Sequence, residues 1–200
     1  MINFVKTKKE FEIYQSNLLN IFDIHKSFEE NGFQDSFRYF ISFEFDYMFH
    51  ESFFENIKSF VESLHDRDLI LYVIQPSPES FYQDFGKYNI LKVGIQDTDE
   101  DLTKVLMDPS VDEIAIHSDE IVWFSPSKNW AIYGSRDWEI ALIGFTDLET
   151  KELFIKSFRK NIDMFTTINE QVEILDHMLK FDNDVKKQYS ALALNYQDRI

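Results

Sequence analysis

The sequence predicts an α+β fold, with a central mixed or mainly antiparallel sheet over residues 37–143, flanking helices and a long C-terminal helix. The apolar spacing switches several times between the period of a strand and that of a helix. Only 5 Gly and 4 Pro occur in 200 residues, which favours long elements over a sandwich with many turns. Because 44% of the residues are hydrophobic, including 21 Phe, we expect one core and a single domain over residues 1–200.

The first half of the chain is predicted to alternate between helix and strand. Residues 9–22 have a helical period, residues 37–45 alternate like a half-buried strand, and residues 51–64 return to the helical period. Residues 69–74 form a short apolar run that is typical of a buried strand. The order strand, helix, strand predicts a crossover that makes the two strands parallel neighbours.

The segment that follows carries helix-capping residues. Ser77 or Ser80 can cap a short helix that Gly86 closes, and residues 90–95 form another apolar run that predicts a strand. Thr98 can cap a helix that ends near Met107. Acidic residues fill the first turn of this helix, where the helix dipole favours negative charge.

The second half is predicted to complete the sheet and then to become helical. Strand-like runs cover residues 114–117, 121–124, 130–133 and 138–143, and Gly134-Ser135 is a candidate tight turn. The helical period over residues 148–181 predicts one long helix, or two helices with a bend near Thr166-Thr167. The polar tail after Asp182 is predicted to fray, although four apolar residues could dock it, namely Tyr189, Leu192, Leu194 and Tyr196.

The charge is strongly negative and unevenly distributed. The formal net charge is 20 − 36 = −16, and residues 51–150 contribute 7 − 20 = −13 of it. Nucleic acid as a partner is disfavoured, because a phosphate backbone requires a basic surface, and an anionic membrane surface is disfavoured for the same reason. We expect neither as a partner.

The most acidic segment is residues 97–120, where nine carboxylates face one base, Lys104. So much like charge attracts a cationic partner over a long range. We predict that one acidic face binds a basic protein. Its candidate residues are Asp97, Asp99, Glu100, Asp101, Asp112, Glu113, Asp119 and Glu120.

Metal, cofactor and catalytic signatures are weak in this chain. Asp97, Asp99, Asp101 and Asp108 have the spacing of a calcium loop, but Leu102 occupies the position that requires Gly. Acidic residues at a helix N-terminus are the favoured interpretation. The sequence contains neither a phosphate-binding glycine loop nor a helical His pair. We therefore predict no metal, no cofactor and no catalytic residues.

The expected location is the cytoplasm. The chain contains no Cys, so it forms no disulfide, which fits a reducing compartment. Residues 1–9 lack the apolar run of a signal peptide, and no segment approaches the roughly 20 apolar residues of a membrane span.

Residues 125–139 form the most motif-like segment. One interpretation is a hairpin with Trp130, Ile132 and Trp138 in the core and with Arg136 paired to Asp137 or Glu139. The other is a binding surface on which Trp130 and Arg136 anchor a partner, since Trp and Arg dominate binding energies at interfaces. The first is favoured, and both residues remain candidates for partner binding.

Residues 123–145 read WFSPSKNWAIYGSRDWEIALIGF. This run resembles a segment of small bacterial proteins, and the chain is similar in style to the acidic immunity proteins of bacterial toxin systems. The resemblance implies a non-enzymatic cytosolic protein that binds and neutralises a basic partner, such as a toxin. It assigns no functional residue.

These observations lead to an acidic inhibitor or immunity-type binding protein as the expected function. The alternative is a small-molecule-binding protein or hydrolase-type enzyme with a cleft of carboxylates and aromatic residues. A homodimer formed through exposed Phe residues is a third option.

Overall fold

The computed structural model describes residues 2–111 and 113–199 and shows an α+β fold built on one seven-stranded sheet. Every paired neighbour in the sheet is antiparallel. The strand order is β1-β4-β3-β5-β6-β7-β2. The strands are β1 (Asn3–Phe4), β2 (Tyr39–Glu44), β3 (Asp68–Gln75), β4 (Ile90–Gly94), β5 (Glu120–Phe124), β6 (Trp130–Ser135) and β7 (Ile140–Phe145).

Most helices begin at a side chain that caps free backbone N–H groups, and the sequence predicts two of these caps. Ser77 caps a helix that ends at Gly86, and Thr98 and Asp101 form a reciprocal capping box at the next helix. The α-helices are α1 (Lys8–Leu19), α2 (Glu51–Ser63), α3 (Pro78–Phe85), α4 (Asp99–Leu106), α5 (Ile114–His117), α6 (Leu148–Ser157), α7 (Ile168–Leu179) and α8 (Asn183–Asn195). Short 3-10 segments cover Phe28–Glu30, Phe45–Phe49, Pro109–Val111 and Arg159–Met164.

The sheet has a hydrophobic core on each face. The first core contains the apolar sides of α2, α4 and α6, together with Trp123 and Trp130. The second contains apolar residues of α1, α7 and α8, together with Tyr133. All 21 Phe residues are buried or half-buried in these cores or at their edges. A homodimer through exposed Phe therefore has no basis in the structure.

The predicted parallel crossover is wrong. β2 lies at one edge of the sheet and pairs only with β7, whereas β3 lies between β4 and β5. The helix α2 follows β2 and packs on the first core. The next strand along the chain, β3, lies four positions away from β2 in the sheet. The local sequence pattern does not reveal the strand order, because strand pairing depends on contacts between residues that are far apart in sequence.

Two local predictions around the last strands are also wrong. Residues 114–117 form the short helix α5 rather than a strand. Gly134 and Ser135 lie inside β6, and the turn to β7 spans residues 136–139, where Glu139 has a φ of 54°. Gly usually occupies this left-handed conformation, and because Glu139 occupies it here, the sequence gives no signal of the turn.

The C-terminal region is helical, as expected, and it is divided. α6 packs on the first core, the helical structure is interrupted at residues 165–167, and α7 packs on the second core. Thr166 exchanges both backbone hydrogen bonds with Ser42, which covers the free edge of β2 at the break. The tail does not fray, because Tyr189 and Leu192 of α8 and the following Tyr196 are buried. Of the four residues expected to be able to dock it, only Leu194 is exposed.

Candidate functional site

The acidic segment crosses the protein from one end of the sheet to the other. Gly94, at the end of β4, pairs with Asp68 at the start of β3, and Glu120 pairs with Gln75 at the end of β3. These two points are separated by the length of β3, which is about 20 Å. The segment therefore does not form the single face that the sequence predicts.

Asp97 belongs to the fold rather than to a surface. Its side chain is 4% exposed, and its Oδ2 accepts the backbone N–H of Gly94 at 2.9 Å. The backbone carbonyl of Asp97 also accepts a hydrogen bond from Lys58 Nζ at 3.0 Å. Asp112 lies outside the described residues, and Glu113 is half-buried, with a carboxylate oxygen 4.0 Å from His117 Nε2.

The structure brings part of the segment together with α2. An open groove of about 800 Å³ runs between the first turns of α2 and the length of α4. Six charged side chains line it, five acidic and one basic, so the lining has a net charge of 1 − 5 = −4. We call this feature the acidic groove; its charged residues are Glu51, Glu55, Asp99, Glu100, Asp108 and Lys104.

Charges in the acidic groove are only partly compensated. Lys104 Nζ lies 2.7 Å from Glu100 Oε1, and Lys58 Nζ lies 2.8 Å from Glu55 Oε1. Partial burial and the nearby carboxylates of Glu51 and Glu55 raise the pKa of Asp99. The groove thus contains carboxylates that repel one another, which a cation would relieve.

Glu51 and Glu55 were missed by sequence reasoning. They precede the acidic segment by more than forty positions, and in sequence they read as the polar side of an amphipathic helix. Asp101 is exposed, but its carboxylate is engaged in the capping box with Thr98, whose hydrogen bonds lower the pKa of Asp101.

Trp130 and Arg136 do not form a binding surface. Trp130 is fully buried, its Nε1 donates to Ser125 Oγ at 2.8 Å, and its ring meets Phe60 edge-on. Its role as a partner anchor is thereby excluded, and the hairpin interpretation is confirmed for this residue.

Arg136 fixes the loop before β5. Its guanidinium donates to the carbonyl of Ala115 at 2.6 Å and to that of Ser118 at 3.2 Å, and it stacks on the Phe45 ring. Its ion pair is with Asp46 at 3.3 Å, not with the predicted Asp137 or Glu139.

Glu120 lies in a separate pocket on the other face of the sheet. This pocket, of about 200 Å³, is formed by the ends of β3, β5 and β6 and by the loop after Phe22. The side chain of Glu120 is half-buried, and its Oε2 accepts the Tyr133 hydroxyl at 2.9 Å. We call it the Glu120 pocket.

Burial is the main reason why the pKa of Glu120 is raised. The hydrogen bond from Tyr133 acts in the opposite direction, and the charges of Glu29, Asp137 and Asp119 raise the pKa further. Among the residues that the structure describes, no cation lies within ion-pair distance of this carboxylate.

We expect Glu120→Gln to raise the free energy of unfolding at pH 7.5. A carboxyl whose pKa is higher in the folded state binds its proton more tightly there, so its ionised form lowers stability above that pKa. The glutamine oxygen can still accept the Tyr133 hydroxyl, and solvent screening limits the gain to about 0.5 kcal/mol. Urea unfolding at several pH values measures it.

The advantage of Glu120→Gln should shrink as the pH falls through the pKa of Glu120, because the wild-type carboxyl then becomes neutral. Glu152→Gln is the matched control, because Glu152 is exposed and forms no ion pair in the described part of the chain. A Glu120→Gln protein that is less stable than wild type at pH 7.5 would contradict this account.

Within residues 2–111 and 113–199, no group of three or more His, Asp or Glu side chains could hold a metal ion, and no helix is long and apolar enough to cross a membrane. Of the four acids with calcium-like spacing, Asp99 and Asp101 lie in the first turn of α4, whereas Asp97 precedes the helix and Asp108 follows it. No family model, curated protein or solved structure matches the chain.

Proposed function

We propose that this protein binds a basic protein partner through the acidic groove. The observation that carries the proposal is the set of carboxylates that α2 and α4 bring together in one groove. The pKa of Asp99 is raised there by burial first and then by the charges of Glu51 and Glu55. A Lys or Arg side chain of a partner that enters the groove would relieve this repulsion. The groove is open, which suits a protein surface better than an enclosed small molecule.

The net charge of the whole chain supports the same function. At −16, the protein attracts a basic partner before contact, and the acidic groove gives that attraction a place to dock. Electrostatic complementarity of this kind accelerates association and discriminates against acidic competitors.

An immunity-type inhibitor of a basic toxin in the cytoplasm is the specific form of the proposal. The absence of Cys and the resemblance of residues 123–145 to small bacterial proteins support it. The alternative, a small-ligand binder or hydrolase-type enzyme, requires a cleft where carboxylates and aromatic rings meet. The Glu120 pocket is such a cleft.

The experiment compares three forms of the protein as bait in a lysate of the cells that produce it. The groove variant carries Glu51→Gln, Glu55→Gln and Asp99→Asn. The control variant carries Asp84→Asn, Glu152→Gln and Glu173→Gln, which remove the same number of exposed carboxylates elsewhere. We expect wild type and control to retain the same basic protein and the groove variant to lose it.

Equal capture by the groove variant and by the control would contradict the proposed site. Capture of only acidic or neutral proteins would contradict the proposed partner class. Matched unfolding curves for the three forms show that any loss reflects binding rather than folding.

A further inference from the structure

The Glu120 pocket contains a charge that the fold itself leaves uncompensated. Glu120 is half-buried, its one hydrogen bond comes from a neutral hydroxyl, and the described residues offer no cation within ion-pair distance. Buried carboxylates ordinarily have a charged partner or several hydrogen-bond donors. The charges that shift its pKa, those of Glu29, Asp137 and Asp119, are also negative.

Asp23 and Lys26 also line the pocket, together with His25. Asp23 Oδ1 accepts the backbone N–H of His25 at 3.1 Å. The charge of Lys26 acts on the carboxylate of Glu30, whose pKa is lowered mainly by hydrogen bonds from Ser27 and in part by Lys26. Lys26 lines the pocket, but it is not among the charges that shift the pKa of Glu120.

The walls next to Glu120 are aromatic and apolar. Phe22 and Tyr133 line the pocket together with Ile74, and the two rings meet edge-on with centroids 5.4 Å apart. The ring of Tyr133 is held from another side by Phe28, at 4.9 Å. An aromatic face attracts a cation, and apolar walls accept an alkyl chain.

The size of the pocket limits what can enter. Its volume of about 200 Å³ is below the roughly 300–1,000 Å³ of pockets for drug-sized ligands. A carboxylate at one end and aromatic carbon around it match a short chain that ends in a positive charge.

We propose that the Glu120 pocket binds a protonated primary amine on a short alkyl chain, with Glu120 as its counter-ion and Tyr133 as the group that orients the carboxylate. The amine can be free or can be the side chain of a lysine. This site is independent of the acidic groove, because the pocket belongs to the core that contains α1, α7 and α8, whereas the groove is formed by helices of the other core.

The test uses n-butylammonium chloride as the probe and backbone amide NMR shifts as the readout. We expect saturable shifts at Gly32, Gln75 and Tyr133, with a Kd of about 1–10 mM for so small a ligand. 1-Butanol has the same length and no charge, so it cannot form the ion pair with Glu120, and we expect it to bind at least about tenfold more weakly, a difference of about 1.4 kcal/mol.

Two variants distinguish a specific ion pair with Glu120 from a general effect of the negative charge of the protein. Glu120→Gln keeps the hydrogen bond from Tyr133 and should weaken butylammonium binding about tenfold or more. Glu152→Gln removes one exposed carboxylate elsewhere and should change the Kd less than about twofold. Equal weakening by both variants, or equal binding of butanol and butylammonium, would overturn the proposal.

A second arm identifies the source of the amine. Nα-acetyl-lysine methylamide presents the same ammonium group on a peptide backbone. Shifts at the same amides with similar or tighter affinity assign the pocket to a lysine side chain, and shifts with butylammonium alone assign it to a free amine. Absence of shifts with both probes up to about 50 mM would refute the site. The capture experiment on the acidic groove is unaffected by either result.

Discussion

Trp130→Ala is expected to lower the free energy of unfolding by about 3–5 kcal/mol. The indole is fully buried between the sheet and the Phe60 ring, and removing it leaves a cavity and a buried Ser125 hydroxyl without its donor. Urea unfolding followed by circular dichroism measures the change. The loss would identify Trp130 as a core residue rather than a partner anchor.

Two milder variants divide this effect into its parts. Trp130→Phe retains most of the ring volume but removes the N–H, and we expect it to cost about 1–2 kcal/mol. Ser125→Ala removes the acceptor and also the hydrogen bond that Ser125 Oγ donates to Asp66 Oδ2 at 2.6 Å. A Trp130→Ala protein that unfolds within about 0.5 kcal/mol of wild type would show that the side chain is not buried as described.

Tyr196→Ala is expected to have an effect of similar size, a loss of about 3–5 kcal/mol. The Tyr196 side chain is 2% exposed at the end of α8, its hydroxyl donates to the Phe28 carbonyl, and its ring meets Phe33 and Phe40 edge-on. This variant therefore tests whether the C-terminal helix is part of the second core.

Leu194→Ala is the matched control in the same helix. Its side chain is 75% exposed, so we expect a change within about 0.5 kcal/mol. If the two substitutions had equally small effects, the tail would be loosely attached, as its polar sequence suggests. Hydrogen exchange at α8 provides an independent check, since a docked helix protects its amides.

Local features of this fold are readable from the sequence. The apolar run at residues 69–74 corresponds to β3 (Asp68–Gln75), and the stripe at residues 51–64 corresponds to α2 (Glu51–Ser63). Ser77, Gly86 and Thr98 act as the caps that their chemistry suggests. Apolar periodicity and capping residues depend on neighbours in sequence, so they can be read without knowledge of distant contacts.

The arrangement of the elements was not readable in the same way. The pairing of β2 with β7 joins residues about a hundred positions apart, and α8 docks through a few large side chains set in a polar tail. Residues 114–117 are apolar like a strand but form a helical turn, a length at which apolar pattern cannot separate the two.

The candidate sites show the same limit. Asp99 and Glu100 were identified by local charge, but the groove also requires Glu51 and Glu55 from another helix. Glu120 was selected as one acid among nine, whereas the structure separates it from the others and places it beside Tyr133 and the loop after Phe22. Burial and partners, which distinguish these carboxylates, depend on the tertiary fold.

The association rate with the captured basic partner tests the central claim most directly. It is measured by stopped flow for wild type and for the Glu51→Gln, Glu55→Gln, Asp99→Asn variant at about 20 mM and 200 mM salt. We predict that the wild-type rate falls at least about tenfold with added salt, and that the groove variant associates more slowly at low salt and depends less on salt. A wild-type rate that is indifferent to salt, or the same salt dependence in both proteins, would contradict docking through the acidic groove.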